Sequence, residues 1–237
     1  MIVWAGTSNK DVGMVIEHYP RVIIPERSQE VQNVPGRNGA IVLPSGSYQN
    51  YTQPYQAFID AKDLGGLDMI IPKVVDWLLG HEGYYRLEDS YFPGVYRMAY
   101  YSGGAEFVNF FNYYGEGTLT FNCAPEKYFK SGEREIPIKQ NYLLRNPSSF
   151  AARPTIYITG DGETDGTLTF NDKSITVKEV PENITIDVKN HKAYNETGNC
   201  NKKIVGAFED LNLEKETRIT WSGGIQSVRL IPRWWTI

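Results

Sequence analysis

The sequence predicts a mainly β protein of two domains. An N-terminal β-sandwich-like domain with one α-helix and a projecting arm is expected over residues 1–133, and a C-terminal β-sandwich over residues 134–237. Three observations predict this. Sixteen Tyr, 22 Gly and 13 Pro favour strands joined by many turns. From Pro154 onward, short runs alternate apolar with polar residues (Ile156, Ile158; Leu168, Phe170; Ile175, Val177; Ile184, Ile186, Val188), with turns between them, as in a sandwich. One segment carries a helical period instead: Ile71, Val74, Val75 and Leu78 fall at i, i+3, i+4 and i+7.

In chain order, strands are predicted over 1–5, 12–16 and 19–24, the last closed by Pro25. The helix comes next, with Asp68 as its cap, Pro72 in its first turn and Gly80 at its exit, and with Trp77 and Leu79 widening the apolar face. Strands over 84–87 and 96–101 flank a loop at 88–94, and 107–113 pairs with 118–123 in a hairpin turned at Tyr114–Gly117. Lys130–Glu133 marks the boundary. Strands over 135–138, 204–208, 217–221 and 226–231 complete the second half. Gly117–Asn122 and Gly166–Asn171 share the six residues Gly-Thr-Leu-Thr-Phe-Asn, but their neighbours differ, so these are two similar strands rather than a repeat.

The arm is predicted from turn chemistry. Pro35-Gly36 and Asn38-Gly39 are turn dipeptides three residues apart, with Arg37 between them and Val34 before. Ala40–Leu43 is a short apolar strand, Pro44–Gly46 turns again, and Tyr48, Tyr51 and Tyr55 come after it. Over residues 34–58 this reads as a stiff edge suited to a partner chain; an ordinary surface hairpin fits the same turns.

Composition narrows the function. Hydrophobic content of 41% and charged content of 22% are those of a soluble globular chain, and no apolar run approaches the roughly 20 residues of a membrane span. The N-terminus shows no secretory signal, so folding in a cytoplasm is expected, and the three glycosylation-type triplets at Asn50, Asn183 and Asn195 carry no weight. Cys123 and Cys200 are expected as buried free thiols. A net charge of −4 argues against a dedicated nucleic-acid binder. Up to residue 133 ten Lys and Arg face fifteen Asp and Glu, and beyond it fourteen face thirteen, so the acidity belongs to the first half.

Catalytic patterns are missing. His18, His81 and His191 are scattered, there is no Gly-x-Ser-x-Gly elbow and no phosphate-binding glycine loop, and Glu88-Asp89 reads as an exposed acidic turn. Asp161, Glu163 and Asp165 with Gly166 and Asp172 imitate a calcium-loop spacing, but strands flank them, and a solvated turn is the better reading; no metal and no cofactor are expected. Trp221, Trp234 and Trp235 fit either a sugar-stacking platform or core packing.

Together these residues resemble the distal tail proteins (Dit) of siphophages. In the first half the likeness rests on Ser8–Gly13, Val34–Gly39, the helix ending Trp77-Leu78, Asp89-Ser90 before Tyr96–Ala99, and Phe121–Pro125. In the second it rests on Asn146-Pro147 through Pro154, Ile184–Asp187 and Arg229–Trp234. The resemblance implies a structural, non-enzymatic virion protein whose N-terminal domains close a hexameric ring and whose C-terminal domain is a galectin-like β-sandwich. It implies as partners the tail tube protein, the tail-associated hub or lysin protein and receptor-binding or baseplate proteins. It further implies that DNA passes through the channel without specific binding and that nothing inserts into a membrane. Adhesion through a carbohydrate-binding second domain is the alternative, and an enzyme acting on cell-wall polymer the third reading. An arm held by paired turns loses little entropy on docking, so Val34–Gly39 with Tyr48, Tyr51 and Tyr55 is the expected subunit contact.

Overall fold

The alternating segments are strands in the computed structural model, which describes residues 1–101 and 103–237. The chain divides into two units, residues 1–127 with Ile237, and residues 128–236, each with its own apolar core. The division falls between Lys127 and Tyr128, whereas the sequence places it after Glu133; Lys130–Glu133 is a short 3-10 helix.

The first unit contains β1 (Ile2–Trp4), β2 (Thr7–Ser8), β3 (Met14–Ile16), β4 (Arg27–Gln32), β5 (Ile41–Tyr48), β6 (Tyr51–Asp60), α1 (Leu67–Leu79), β7 (Tyr85–Asp89), β8 (Val95–Tyr101), β9 (Phe107–Phe110) and all but the last two residues of β10 (Tyr114–Phe129). Its main sheet has the order β2-β1-β7-β8-β10-β6-β3, and β9 also pairs with β10. β6 and β10 run antiparallel from Tyr51↔Cys123 to Asp60↔Tyr114. Alternate residues point to opposite faces of a strand. Tyr51, Tyr55, Ala57 and Ile59 of β6 and Leu119, Phe121 and Cys123 of β10 therefore enter one core, which α1 completes. Trp4 lies at its centre, fully buried, with its indole N–H donating to the Ala99 carbonyl at 3.2 Å and its own carbonyl accepting from Trp77 at 3.2 Å.

Several elements depart from the sequence reading. Residues 19–24 form no strand. Pro20 and Pro25 cannot donate to a ladder, and the Arg21 and Ile23 carbonyls accept from the Gln53 side-chain amide and the Lys127 ammonium, each at 3.2 Å. The strand of this region is β4, whose polar sequence Arg-Ser-Gln-Glu-Val-Gln hid it. The hairpin of β9 and β10 turns at Phe111-Asn112, both with positive φ, and Tyr114–Gly117 is already strand. The helix is rotated from its predicted stripe. It buries Leu67, Ile70, Val74, Trp77 and Leu78, while Val75 and Leu79 are exposed. Gly66, not Asp68, occupies the cap position, and Asp68 supplies negative charge to the first turn. Pro72 lies within the helix, where it removes the bond to the Asp68 carbonyl. Gly80 ends the helix, its N–H donating to the Asp76 carbonyl at 2.9 Å.

The second unit continues with β11 (Ile136–Ile138), β12 (Tyr142–Arg145), β13 (Thr155–Gly160), β14 (Gly166–Phe170), β15 (Lys173–Val177), β16 (Ile184–Asp187), β17 (Lys192–Asn195), β18 (Gly198–Asn199), β19 (Ile204–Val205), β20 (Glu216–Gly223), β21 (Ile225–Ile231) and β22 (Trp235–Thr236). Two antiparallel sheets, β11-β21-β13-β16-β17-β18 and β12-β20-β14-β15-β19, share one core. Ile156, Ile158, Ile184, Ile186, Val228 and Leu230 come from the first sheet, and Leu168, Phe170, Ile175, Val177 and Ile219 from the second. This is the two-layer packing of a sandwich. The strand predicted over 204–208 stops at Val205, because Gly206 takes φ +127 and Phe208–Leu211 forms a 3-10 helix.

Candidate functional site

Two of the three histidines lie against aromatic rings, and His18 is exposed. His81 packs edge-on to Trp4 at 5.4 Å, and His191 stacks on Phe208 at 5.7 Å. Glu88-Asp89 is not an exposed acidic turn. Asp89 is buried on β7, accepting from Arg97 Nη1 at 2.6 Å, from the Tyr55 hydroxyl at 3.1 Å and from the Tyr91 and Phe92 amides at 3.0 and 2.7 Å. Glu88 pairs with Arg86. Burial raises the pKa of the Tyr51 and Tyr55 hydroxyls and pushes the Cys123 thiol up to about 12, so this thiol is unreactive. In the acidic turn of the second unit, the Asp161 carboxylate accepts from the Thr164 hydroxyl and from the Thr164 and Glu163 amides. Those bonds, the Thr164 side chain's first, hold its pKa at about 2. Asp165 accepts from the Glu179 amide at 2.8 Å. Among the described residues no group of three or more His, Cys, Asp or Glu is placed to hold a metal.

The feature that stands out is the ribbon of β4 and β5, a two-stranded sheet of its own. It pairs Gln32↔Ile41, Val31↔Val42 and Glu30↔Leu43, slips register between Arg27 and Gln29, and ends on Arg27↔Tyr48. At its tip the Arg37 amide donates to the Val34 carbonyl at 3.2 Å across Pro35-Gly36, with Gly36 at φ +79. Proline at the second position and a positive φ at the third make a type II turn. Gly39, at φ +82, turns the chain again. Val34, Pro35, Gly36, Arg37, Asn38 and Gly39 are all exposed. Val31 and Val42, directly opposite each other, are 54% and 51% exposed, so the ribbon has apolar surface without a core beneath it. At the base, the Arg27 guanidinium donates to the Tyr48 hydroxyl at 3.3 Å, and the Ser45 hydroxyl donates to the Ser28 carbonyl at 2.7 Å.

The structure does not keep the predicted arm together. Its projecting part is 27–48, and it begins earlier than the sequence indicates. Tyr51 and Tyr55 lie on β6 and point into the core, where they bond Arg97 and Asp89. The hairpin of β9 and β10 was expected from the sequence, but not its exposed apolar surface, with Val108, Phe110, Phe111 and Tyr113 in solvent and Phe111 89% exposed at the tip. Its signal was the Asn at 112, a residue that tolerates positive φ. The three tryptophans form no platform. Trp234 is 5% exposed in the core, Trp235 packs on Phe150 at 4.7 Å and donates to the Ala151 carbonyl, and Trp221 lies on β20 against the core.

Comparison with known proteins gives these features a context. Residues 15–123 match the family described as phage tail protein RIFT-related domain. No curated protein matches the sequence. Among solved structures, the SPP1 Dit (gp 19.1) protein, described as a paradigm of the hub adsorption apparatus in phages infecting Gram-positive bacteria, aligns with a TM-score of 0.79 at 13% identity, covering 100% of this chain and 98% of that one. A chain of the phage P2 baseplate in its calcium-activated conformation aligns more loosely, with a TM-score of 0.49 at 11% identity over 92% of this chain and 89% of that one. Residues 15–123 thus match a phage tail RIFT-related domain, and the chain shares the fold of the SPP1 Dit protein along its whole length.

Proposed function

We propose that the protein is a structural hub at the distal end of a siphophage tail. Copies of it close a hexameric ring that connects the tail tube to the tail-associated hub protein and to receptor-binding or baseplate components. The observation that carries this reading is the β4–β5 ribbon, on a chain with the fold of a hub adsorption protein. A two-stranded hairpin is marginally stable by itself in water. One that exposes Val31, Val34, Val42 and Leu43 gains most by laying that surface on another chain. A heterologous contact of this kind closes a ring when its rotation fits. The acidity of the first half suits a channel through which DNA slides without binding, since phosphate is repelled by carboxylate.

Native mass spectrometry at several concentrations tests the proposal. The wild-type chain is expected as a six-fold species. A variant with Pro35-Gly36-Arg37-Asn38-Gly39 replaced by a flexible Ser/Gly linker is expected mostly as monomer. A variant that keeps the hexamer would remove the ribbon tip from the interface, and a wild-type monomer at every concentration would remove the self-closing ring.

A further inference from the structure

We infer that the solvent face of the six-stranded sheet in the second unit is a binding slot for a neutral or N-acetylated sugar ring. Tyr157 lies directly opposite Thr185, and Thr185 directly opposite Tyr194, so the three side chains share one face in a row across β13, β16 and β17. Two strand spacings put the tyrosines about 10 Å apart, with the short Thr185 as the floor between them. Contact distances of about 3.5–4 Å on either side leave room for a single saturated ring. The cavity measures about 380 Å³ and includes Asn183 and Glu196 on its rim and Arg229 behind Tyr157. That volume lies within the range of small-molecule sites.

The chemistry of the slot selects the ligand. Arg229 donates to Glu135 at 2.8 Å and lies 5.6 Å from the Tyr157 ring centroid, so its charge is already answered and it braces the aromatic wall. Neither the Asn183 amide, the Glu196 carboxylate nor either tyrosine hydroxyl is engaged by another of the described residues, and all are free for ligand hydroxyls. With the one cation neutralised and one carboxylate free, an anionic polymer is disfavoured. An extended peptide has no ladder to join, because the backbones of β13, β16 and β17 are paired on both sides. An apolar helix finds no aliphatic surface, since Ile158 and Ile184 are buried beneath the slot. A hydroxyl-rich ring with apolar faces meets all these conditions. The site differs from the three tryptophans, which are packed away.

The test applies the intact protein to an array of neutral and N-acetylated oligosaccharides and repeats the positive spots by saturation-transfer NMR. Tyr194→Ala, Asn183→Leu and, as a control on the other sheet, Ser222→Ala are measured beside the wild type. Binding by the wild type and the control, with at least a tenfold loss in Tyr194→Ala and in Asn183→Leu, is the expected result. Unchanged near-UV circular dichroism would show that the variants are folded. No binding to any sugar, binding that survives both slot variants, or preferential binding of poly(glycerol phosphate) would each overturn the inference.

Discussion

Arg97 is the residue on which the first core depends most sharply. Its side chain is 5% exposed and that of its partner Asp89 is fully buried. Removing one member of a buried pair leaves an uncompensated charge and costs about 3–5 kcal/mol. Asp89 would keep the Tyr55 hydroxyl and two backbone amides, so Arg97→Met is expected to cost about 3 kcal/mol, read as a lower midpoint in urea. Asp187 makes the corresponding pH prediction. Burial opposes its ionisation, but hydrogen bonds from Arg233 and Asn190 outweigh that and hold its pKa below the usual aspartate value. A depressed pKa contributes stability that is complete above the unfolded value of about 3.9 and is lost as pH falls through the folded value. The stability advantage of wild type over Asp187→Asn, from urea midpoints, should therefore be constant between about pH 7 and 5 and shrink below about pH 4. Neither pair was legible in the sequence. Asp89 and Arg97 meet because a hairpin brings β7 beside β8, and spacing along the chain carries no such information.

At the scale of elements, alternation was legible and phase was not. The shared sextet shows both. Leu119 and Phe121, like Leu168 and Phe170, turn inward as the period of two requires. Yet Asn122 continues its strand, whereas Asn171 reverses the chain at φ +57. The residues beyond each sextet decided that, not the six themselves. In α1, apolar residues lie on most of the circumference between Leu67 and Leu79, so the 71/74/75/78 stripe was one of several that fit. Packing of Leu67, Ile70 and Trp77 chose another. The choice has a measurable consequence. Ile70→Ala should cost about 2–5 kcal/mol as a buried truncation, and Val75→Ala should stay within about 0.5 kcal/mol. Equal losses at both positions in urea denaturation would restore the predicted stripe. The ribbon obeyed the same logic: Pro35-Gly36 announced its turn, but the polar β4 gave no strand signal, so only one of its two strands could be read.

For the molecule as a whole, the decisive fact is that the two apolar cores share no residue. One is built from β6, β10 and α1 with Trp4 at its centre; the other lies between the two sheets of the sandwich. Local opening occurs in cooperative units that coincide with such cores, so damage to one should remain in it. Phe170 is 2% exposed and wholly within the second core. Phe170→Ala is expected to cost about 3–5 kcal/mol, enough to raise amide exchange by two to four orders of magnitude wherever exchange proceeds by opening of that unit. Hydrogen exchange read by mass spectrometry on peptides should show the increase across residues 128–236 and unchanged protection across 1–127. A rise of the same size in both would mean that the chain opens as one cooperative unit, and that the separation of the cores has no thermodynamic counterpart. If the increase stays in the second unit, a chain of this design can alter its sandwich without loosening the unit that bears the ribbon.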